Sequence, residues 1–195
     1  MNVLGLSLLA ALGSYEGVAA LIRHGNRTSS YAAAFQRAKL LGRPLVVVGD
    51  PHTGAHTSMV PAYGCGDVCI DLSGCPDCPH AIQADITHGP IATLSDDSAV
   101  VFVSCVLEYV SDFEAAWKEI MRVAGSLDNV FVVTVQPWTL TAELYPGAKQ
   151  VIVPKWIEGS SNPEYHAEPV SISGQLVSAG LVLGLATWGF WPRST

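Results

Sequence analysis

The chain has 195 residues, of which 49% are hydrophobic and 14% are charged, against roughly 25% charged residues in an average soluble domain. This composition excludes global disorder, because disordered chains are poor in apolar residues and rich in charge. Ten basic and seventeen acidic residues give a net charge of −7, which argues against a nucleic-acid-binding surface. The length is that of one domain with a sizeable core.

The N-terminal segment, residues 1–28, begins with an apolar stretch from Met1 to Ile22 whose one ionisable side chain is Glu16. No basic region precedes this stretch and no small-residue cleavage site follows it, which disfavours a cleaved signal peptide. Two alternatives stay open: a packing helix that breaks or kinks near Gly13, or a membrane anchor. A glutamate is costly in lipid, which favours the packing helix.

Residues 29–170 are predicted to form one α/β domain. A first helix is predicted over Tyr31–Leu41, capped at Ser29 or Ser30, because apolar residues recur there at helical spacing before Gly42. Four apolar runs of the kind found in strands buried on both faces follow: Leu45–Gly49, Val68–Leu72, Ala99–Val106 and Val130–Val135. Such runs, separated by helices or loops, predict parallel βαβ units covered on both sides.

A second helix is predicted after the third of these runs. Ser111 and Glu114 have the spacing of a capping box, and apolar residues then recur at helical intervals until Gly125. This helix is predicted to lie on the sheet with its apolar face inward.

Candidate binding residues follow the ends of the predicted strands. The first strand runs into Gly49 and Asp50, and Gly54 follows in the same turn. In an open α/β sheet a nucleotide-like ligand approaches the backbone at this turn, where glycine leaves it room. The next strand ends in Asp71, whose carboxylate can accept hydrogen bonds from ribose hydroxyls. Asp85 is predicted to end a short third strand.

The order of these segments resembles that of the class I S-adenosylmethionine-dependent methyltransferases. VVVGDPHTG resembles the first motif of that family, VCIDL the second, QADI the third and FVSCVLEYVSD the fourth. The resemblance covers Leu45 to Pro154, a little over half of the chain. It implies a Rossmann-like, mostly parallel sheet with helices on both faces, flanked here by apolar N- and C-terminal segments.

The resemblance also implies a cofactor, S-adenosylmethionine. In the family the glycine loop contacts the methionine part of the cofactor, and the acid after the second strand holds the ribose. The third-motif aspartate contacts the adenine amine, and the fourth motif lines the methyl-transfer pocket. The implied cofactor-binding residues are Gly49, Asp50, Gly54, Asp71, Asp85, Ser104 and Cys105.

Four of the five cysteines lie within fourteen residues. An odd count crowded in this way is a poor disulfide framework, which favours a reducing compartment. Zinc is an alternative, because Cys75 and Cys78 have ligand spacing. A strand through Cys69, at about 3.3 Å per residue, would hold Cys65 too far from Cys75 for one ion. The sequence therefore predicts no metal site, although Cys75 and Cys78 could still form a disulfide with each other or bind a metal together with His80 and a partner chain.

The C-terminal segment, residues 171–195, contains twenty uncharged residues from Ile172 to Trp191. About twenty apolar residues can cross a bilayer as a helix, whereas glycines like those in this stretch suit close packing between chains. Residues 172–191 are therefore expected to contact a membrane or a protein assembly. The expected location is the cytoplasmic side, in association with one or the other.

Two functions are compatible with this fold. The first is an S-adenosylmethionine-dependent methyltransferase, with a small molecule or a protein as the methyl acceptor and no nucleic-acid partner. The second is a non-catalytic methyltransferase-like structural protein, anchored in a membrane or in a large assembly such as a virion or a multi-subunit complex. Four motifs in the family's order favour the first, and two apolar ends favour the second.

Overall fold

The computed structural model of the chain describes residues 3–52, 61–134, 149–152 and 166–169. Within these residues the chain forms α1 (Val3–Leu41), β1 (Leu45–Val48), β2 (Val68–Asp71), β3 (Ala81–Gln83), β4 (Val100–Ser104), α2 (Phe113–Ala124), β5 (Val130–Val133), β6 (Lys149–Ile152) and β7 (His166–Pro169). A single 3-10 turn, Leu127–Asn129, leads into β5. The predicted C-terminal segment 171–195 lies outside the described residues.

Strands β1 to β5 form a parallel sheet in the order β3-β2-β1-β4-β5. Central strand β1 pairs with β2 on one side and with β4 on the other, so that Val47 lies opposite both Cys69 and Phe102. The predicted α/β, Rossmann-like fold with a mostly parallel sheet is therefore confirmed. Strands β6 and β7 pair with each other in an antiparallel two-stranded sheet.

The helices cover the two faces of the parallel sheet, which explains the continuous apolar runs. Every residue of β1 is buried. Val46 and Val48 pack in the cluster that includes the apolar face of α2, whereas Leu45 and Val47 pack in the cluster that includes Ala34 of α1. A strand covered on both faces has no solvent-facing position for a polar residue.

Helix α1 is continuous from Val3 to Leu41, so the predicted break near Gly13 and the predicted start at Ser29 or Ser30 are wrong. Glycine within a helix costs only about 1 kcal/mol relative to alanine, and α1 contains no proline that would stop it. The predicted boundary after residue 28 falls inside this helix. The predicted end is confirmed, because Gly42 takes a left-handed conformation with φ of 62°.

In the part of the chain that the structure describes, no helix combines the length and the apolar character that a membrane span requires.

Helix α2 ends at Gly125 as predicted, but its N-cap is Asp112 rather than Ser111. The Asp112 carboxylate accepts a hydrogen bond from the Ala115 amide at 3.0 Å. The side chain of Glu119 in this helix is also buried, which the apolar pattern of the sequence did not predict. Both Glu119 carboxylate oxygens accept hydrogen bonds from the Arg122 guanidinium, at 2.8 and 2.7 Å.

Candidate functional site

A cavity of about 450 Å³ opens at the carboxyl ends of β1, β2 and β4. The chain order reverses between β1 and β4, and ligands of open α/β sheets bind at such a switch point. The cavity is lined by Val48, Gly49, Ile70, Asp71, Leu72, Ser73, Ala84, Asp85, Ile86, Cys105, Val106, Tyr109, Val110 and Ser111. Its volume is in the range of small-molecule and cofactor sites.

The position of Gly49 requires glycine. Its φ is 103°, and an added Cβ would lie 2.9 Å from Val106 Cγ2 and 3.0 Å from the Ser104 carbonyl oxygen. Residues other than glycine rarely adopt this backbone conformation, and the added Cβ would lie too close to both of these atoms. The close approach of β1 to the segment after β4 shapes the cavity wall at this point.

Asp71 joins the end of β2 to the turn after β1. One carboxylate oxygen accepts the Asp50 amide at 3.1 Å and the other accepts the Ser73 amide at 2.8 Å. Each carboxylate oxygen has two acceptor sites, so both keep one for a ligand. The local backbone thus orients this carboxylate at the cavity wall.

Asp85 lies after β3, on the cavity lining, and is held by its own loop. Its Oδ1 accepts hydrogen bonds from the Thr87 hydroxyl at 2.6 Å and the Thr87 amide at 2.9 Å, and His88 Nδ1 is 2.8 Å from Oδ2. The Thr87 hydrogen bonds, assisted by His88, lower the pKa of Asp85 below its usual value. This carboxylate is therefore an ionised acceptor at neutral pH.

Gly49, Asp71, Asp85 and Cys105 are the predicted site residues that line the cavity. Asp50 and Ser104 do not line it; both are buried beneath it, each with 4% exposure. The Asp50 carboxylate accepts the His52 amide at 3.0 Å and so shapes the turn after β1. Gly54, the seventh predicted residue, lies outside the described residues.

Cys105 follows β4 in a left-handed conformation with φ of 53°, and its amide donates to the Val133 carbonyl at 2.7 Å. Burial and the neighbouring Glu108 carboxylate raise the pKa of the Cys105 thiol, and the Arg27 guanidinium of α1 opposes them. The thiol is therefore protonated at neutral pH.

Three residues near the site were missed from the sequence. Arg23 and Arg27 of α1 lie near the end of β4, where their charges oppose the rise in the pKa of the Cys105 thiol. The Tyr63 hydroxyl donates to the Gly49 and Asp50 carbonyls at 3.4 Å and supports the turn from behind. The spacing of Arg23 and Arg27, four residues apart and therefore on one face of a helix, was the sequence feature from which both could have been predicted.

The charged residues that line the cavity favour some classes of ligand over others. Its described lining contains two carboxylates, Asp71 and Asp85, and no lysine or arginine. A phosphate group would lie close to these carboxylates with no lysine or arginine in the described lining to balance its charge, so this cavity suits hydroxyl and amine donors and a positive charge better than a pyrophosphate.

The four clustered cysteines form two disulfides, Cys65–Cys78 and Cys69–Cys75, so the expectation that they make no disulfide framework is wrong. The expected separation of Cys65 from Cys75 is also wrong. The chain reverses after β2, and the His80 carbonyl accepts the Cys69 amide at 3.0 Å. The loop between β2 and β3 therefore returns both of its cysteines to the beginning of β2.

No protein-family model, curated protein or solved structure was found to match this chain. The case for its function therefore depends on the geometry and charge of the cavity.

Proposed function

We propose that the chain is an S-adenosylmethionine-dependent methyltransferase whose acceptor is a small molecule or a protein. One observation carries the proposal: a cavity of about 450 Å³ at the switch point of a parallel sheet has two oriented carboxylates and no cation in its described lining. Dinucleotides and FMN, typical ligands of this fold class, carry phosphate groups. S-adenosylmethionine carries none; its sulfonium and ammonium groups are positive and its one carboxylate is negative, so its net charge is positive.

The cavity residues have chemistry that matches each part of this ligand. Asp71 would accept hydrogen bonds from the ribose hydroxyls through the two acceptor sites that the backbone amides leave open. Asp85 would accept the adenine amine, and the apolar side chains of Ile70, Ile86 and Val106 would contact the adenine ring. Gly49 would let the methionine part approach the backbone.

The cofactor supplies an electrophilic methyl group, and the chain would contribute position and exclusion of water. A methyl acceptor aligned in a dry cavity gains much of its rate from proximity and orientation, without a dedicated base when the acceptor is already nucleophilic. Tyr109 and Ser111 lie on the lining, after β4, and would border the acceptor. The segment after β4 would then be the part of the site that distinguishes acceptors.

Calorimetric titration with S-adenosylmethionine and with its demethylated product tests the proposal. We expect saturable binding of both ligands to the wild-type chain. Asp71→Asn should weaken it about 10- to 100-fold, because the lost hydrogen bonds to a charged acceptor are worth about 1.5–3 kcal/mol. Asparagine keeps one oxygen for one of the two backbone amides and turns an NH2 group towards the other, so the melting temperature of the variant should fall by a few degrees while the chain stays folded.

Asp128→Asn is the matched control, because it removes one negative charge at an exposed position away from the cavity. It should leave the affinity unchanged. Equal weakening by Asp71→Asn and Asp128→Asn would contradict the assigned ribose contact. If neither ligand binds to the wild-type chain at about 1 mM, which is about −4 kcal/mol of binding free energy, the non-catalytic structural alternative replaces the enzyme.

A further inference from the structure

The cysteine cluster, made of Cys65, Cys69, Cys75 and Cys78, lies outside the cavity and has no part in the proposed function. Three of its members are buried, with exposures of 0% for Cys69, 1% for Cys75 and 8% for Cys78. The Sγ atoms of these three lie within 4.8 Å of one another, and Cys65 Sγ is bonded to Cys78 Sγ. Four sulfur atoms therefore share one small site beside β2.

The spacing of the cluster is that of a structural zinc site. Cys65-x3-Cys69 and Cys75-x2-Cys78 both fall within the C-x2–4-C spacing of zinc ligand pairs. Each disulfide joins one cysteine of the first pair to one of the second, so the two pairs face each other. Zinc–sulfur bonds of about 2.3 Å give a tetrahedron with edges of about 3.8 Å, which small side-chain movements would reach.

Two backbone turns bring the pairs together. Gly66, next to Cys65, has φ of 65°, and a Cβ there would lie 2.6 Å from the Leu45 carbonyl oxygen, so the turn requires glycine. The Cys78 amide donates to the Cys75 carbonyl at 3.0 Å, which closes a tight turn within the second pair. These two turns therefore help to position the ligand pairs, in addition to the disulfide bonds.

A histidine from the turn after β1 borders the cluster. His52 Nε2 is 4.0 Å from Cys65 Sγ, and the ligand atoms of His52, Cys65 and Cys78 also lie within 4.8 Å of one another. An imidazole N–H at this position can donate to a metal-bound thiolate, as outer partners of zinc sites commonly do. The same turn carries Asp50, whose amide donates to Asp71.

The geometry points to a Zn²⁺ site in the reduced chain, with Cys65, Cys69, Cys75 and Cys78 as the four ligands and His52 as a hydrogen-bond donor to Cys65. A thiol reductant opens the site: each disulfide takes up two electrons and two protons, and two reductant thiols become one disulfide. Binding of Zn²⁺ to the four thiols then releases four protons and leaves a tetrathiolate with a charge of −2.

Metal analysis of the full-length chain, purified with dithiothreitol, tests this site. We expect about one Zn²⁺ per chain, and a chelator added with the reductant should lower the melting temperature by about 10 °C or more. Co²⁺ added to the reduced, metal-free chain should give the intense visible absorption of a tetrahedral thiolate complex, and Zn²⁺ should remove it. Oxidised chain, with both disulfides intact, should bind neither ion.

Two cysteine variants complete the test. Cys78 belongs to both groups of three ligand residues described above, so Cys78→Ser should abolish stoichiometric zinc binding. Cys105 lies outside the cysteine cluster, so Cys105→Ser should retain the zinc. If Cys78→Ser does not fold, the Co²⁺ spectrum of the wild-type chain still decides. A reduced chain without stoichiometric zinc and without the thiolate spectrum overturns the site, and so does equal zinc in both variants.

Discussion

Phe102→Ala is expected to lower the free energy of unfolding by about 3–5 kcal/mol, because it leaves a cavity at the centre of the sheet. Phe102 is fully buried in β4, and its ring contacts Tyr31 of α1 and Tyr63 with centroids at 5.5 and 5.1 Å. Urea unfolding, with the slope compared between variants, measures the change.

Phe131→Ala is the matched control. Phe131 lies opposite Phe102 in the register of β4 and β5, but it is only partly buried. The same substitution there should cost about 1–2 kcal/mol. Equal losses in the two variants would contradict the packing of α1 against the centre of this sheet face.

Glu119→Ala is expected to cost about 2–3 kcal/mol, because it removes the buried carboxylate of a partly buried, bidentate ion pair. The Glu119 side chain is 7% exposed, and Arg122 would keep Asp96 as its remaining carboxylate partner. The Ile91 amide, which donates to Glu119 at 2.9 Å, would also lose its acceptor. Urea unfolding at neutral pH measures this loss.

The same residue gives an acid dependence with a defined sign. Burial acts to raise the pKa of Glu119, but the hydrogen bonds from Arg122 and the Ile91 amide outweigh it and hold the pKa below its usual value. The folded pKa lies below the unfolded one, so this contribution is present above the unfolded pKa, near 4.5, and is lost as the pH falls through the folded pKa. The difference between wild type and Glu119→Ala should therefore narrow below about pH 4.5.

Lys118→Ala, an exposed substitution on the same helix, is the control for both measurements. It should change the free energy of unfolding by no more than about 0.5 kcal/mol. A Glu119→Ala loss of that same size, independent of pH, would show that the ion pair contributes nothing to the fold.

The strands of the parallel sheet and the acids at its edge followed from the sequence, because both are local features. β1, β2, β4 and β5 lie within the predicted apolar runs, and a strand covered on both faces needs a continuous run. A residue at or just after the end of a parallel strand then lies at the carboxyl edge of the sheet, independently of the rest of the chain. This is why Asp71 and Asp85 reached the cavity lining.

The side chains beneath the cavity did not follow from the sequence. Asp50 and Ser104 were grouped with the lining by their position after a strand, yet both are buried under it. Successive residues leaving a strand point to opposite sides, and the direction of the turn decides which side faces the ligand. That direction depends on contacts such as the Tyr63 hydroxyl behind the turn, which lies thirteen residues beyond Asp50.

The sequence by itself determined the fold class, the main strands of the parallel sheet and the two acids at its carboxyl edge. These features depend on residues that are close together along the chain, because apolar runs and the elements between them are local patterns. Only the tertiary structure decided that Glu119 is buried and paired with Arg122, and that the four cysteines lie together. Both depend on where the chain reverses: the loop after β2 folds back at Gly74, which has φ of 82°, and carries Cys75 and Cys78 to Cys65 and Cys69. Distances along a strand can be computed from its sequence, whereas distances across a reversal are fixed by the packing of the whole domain.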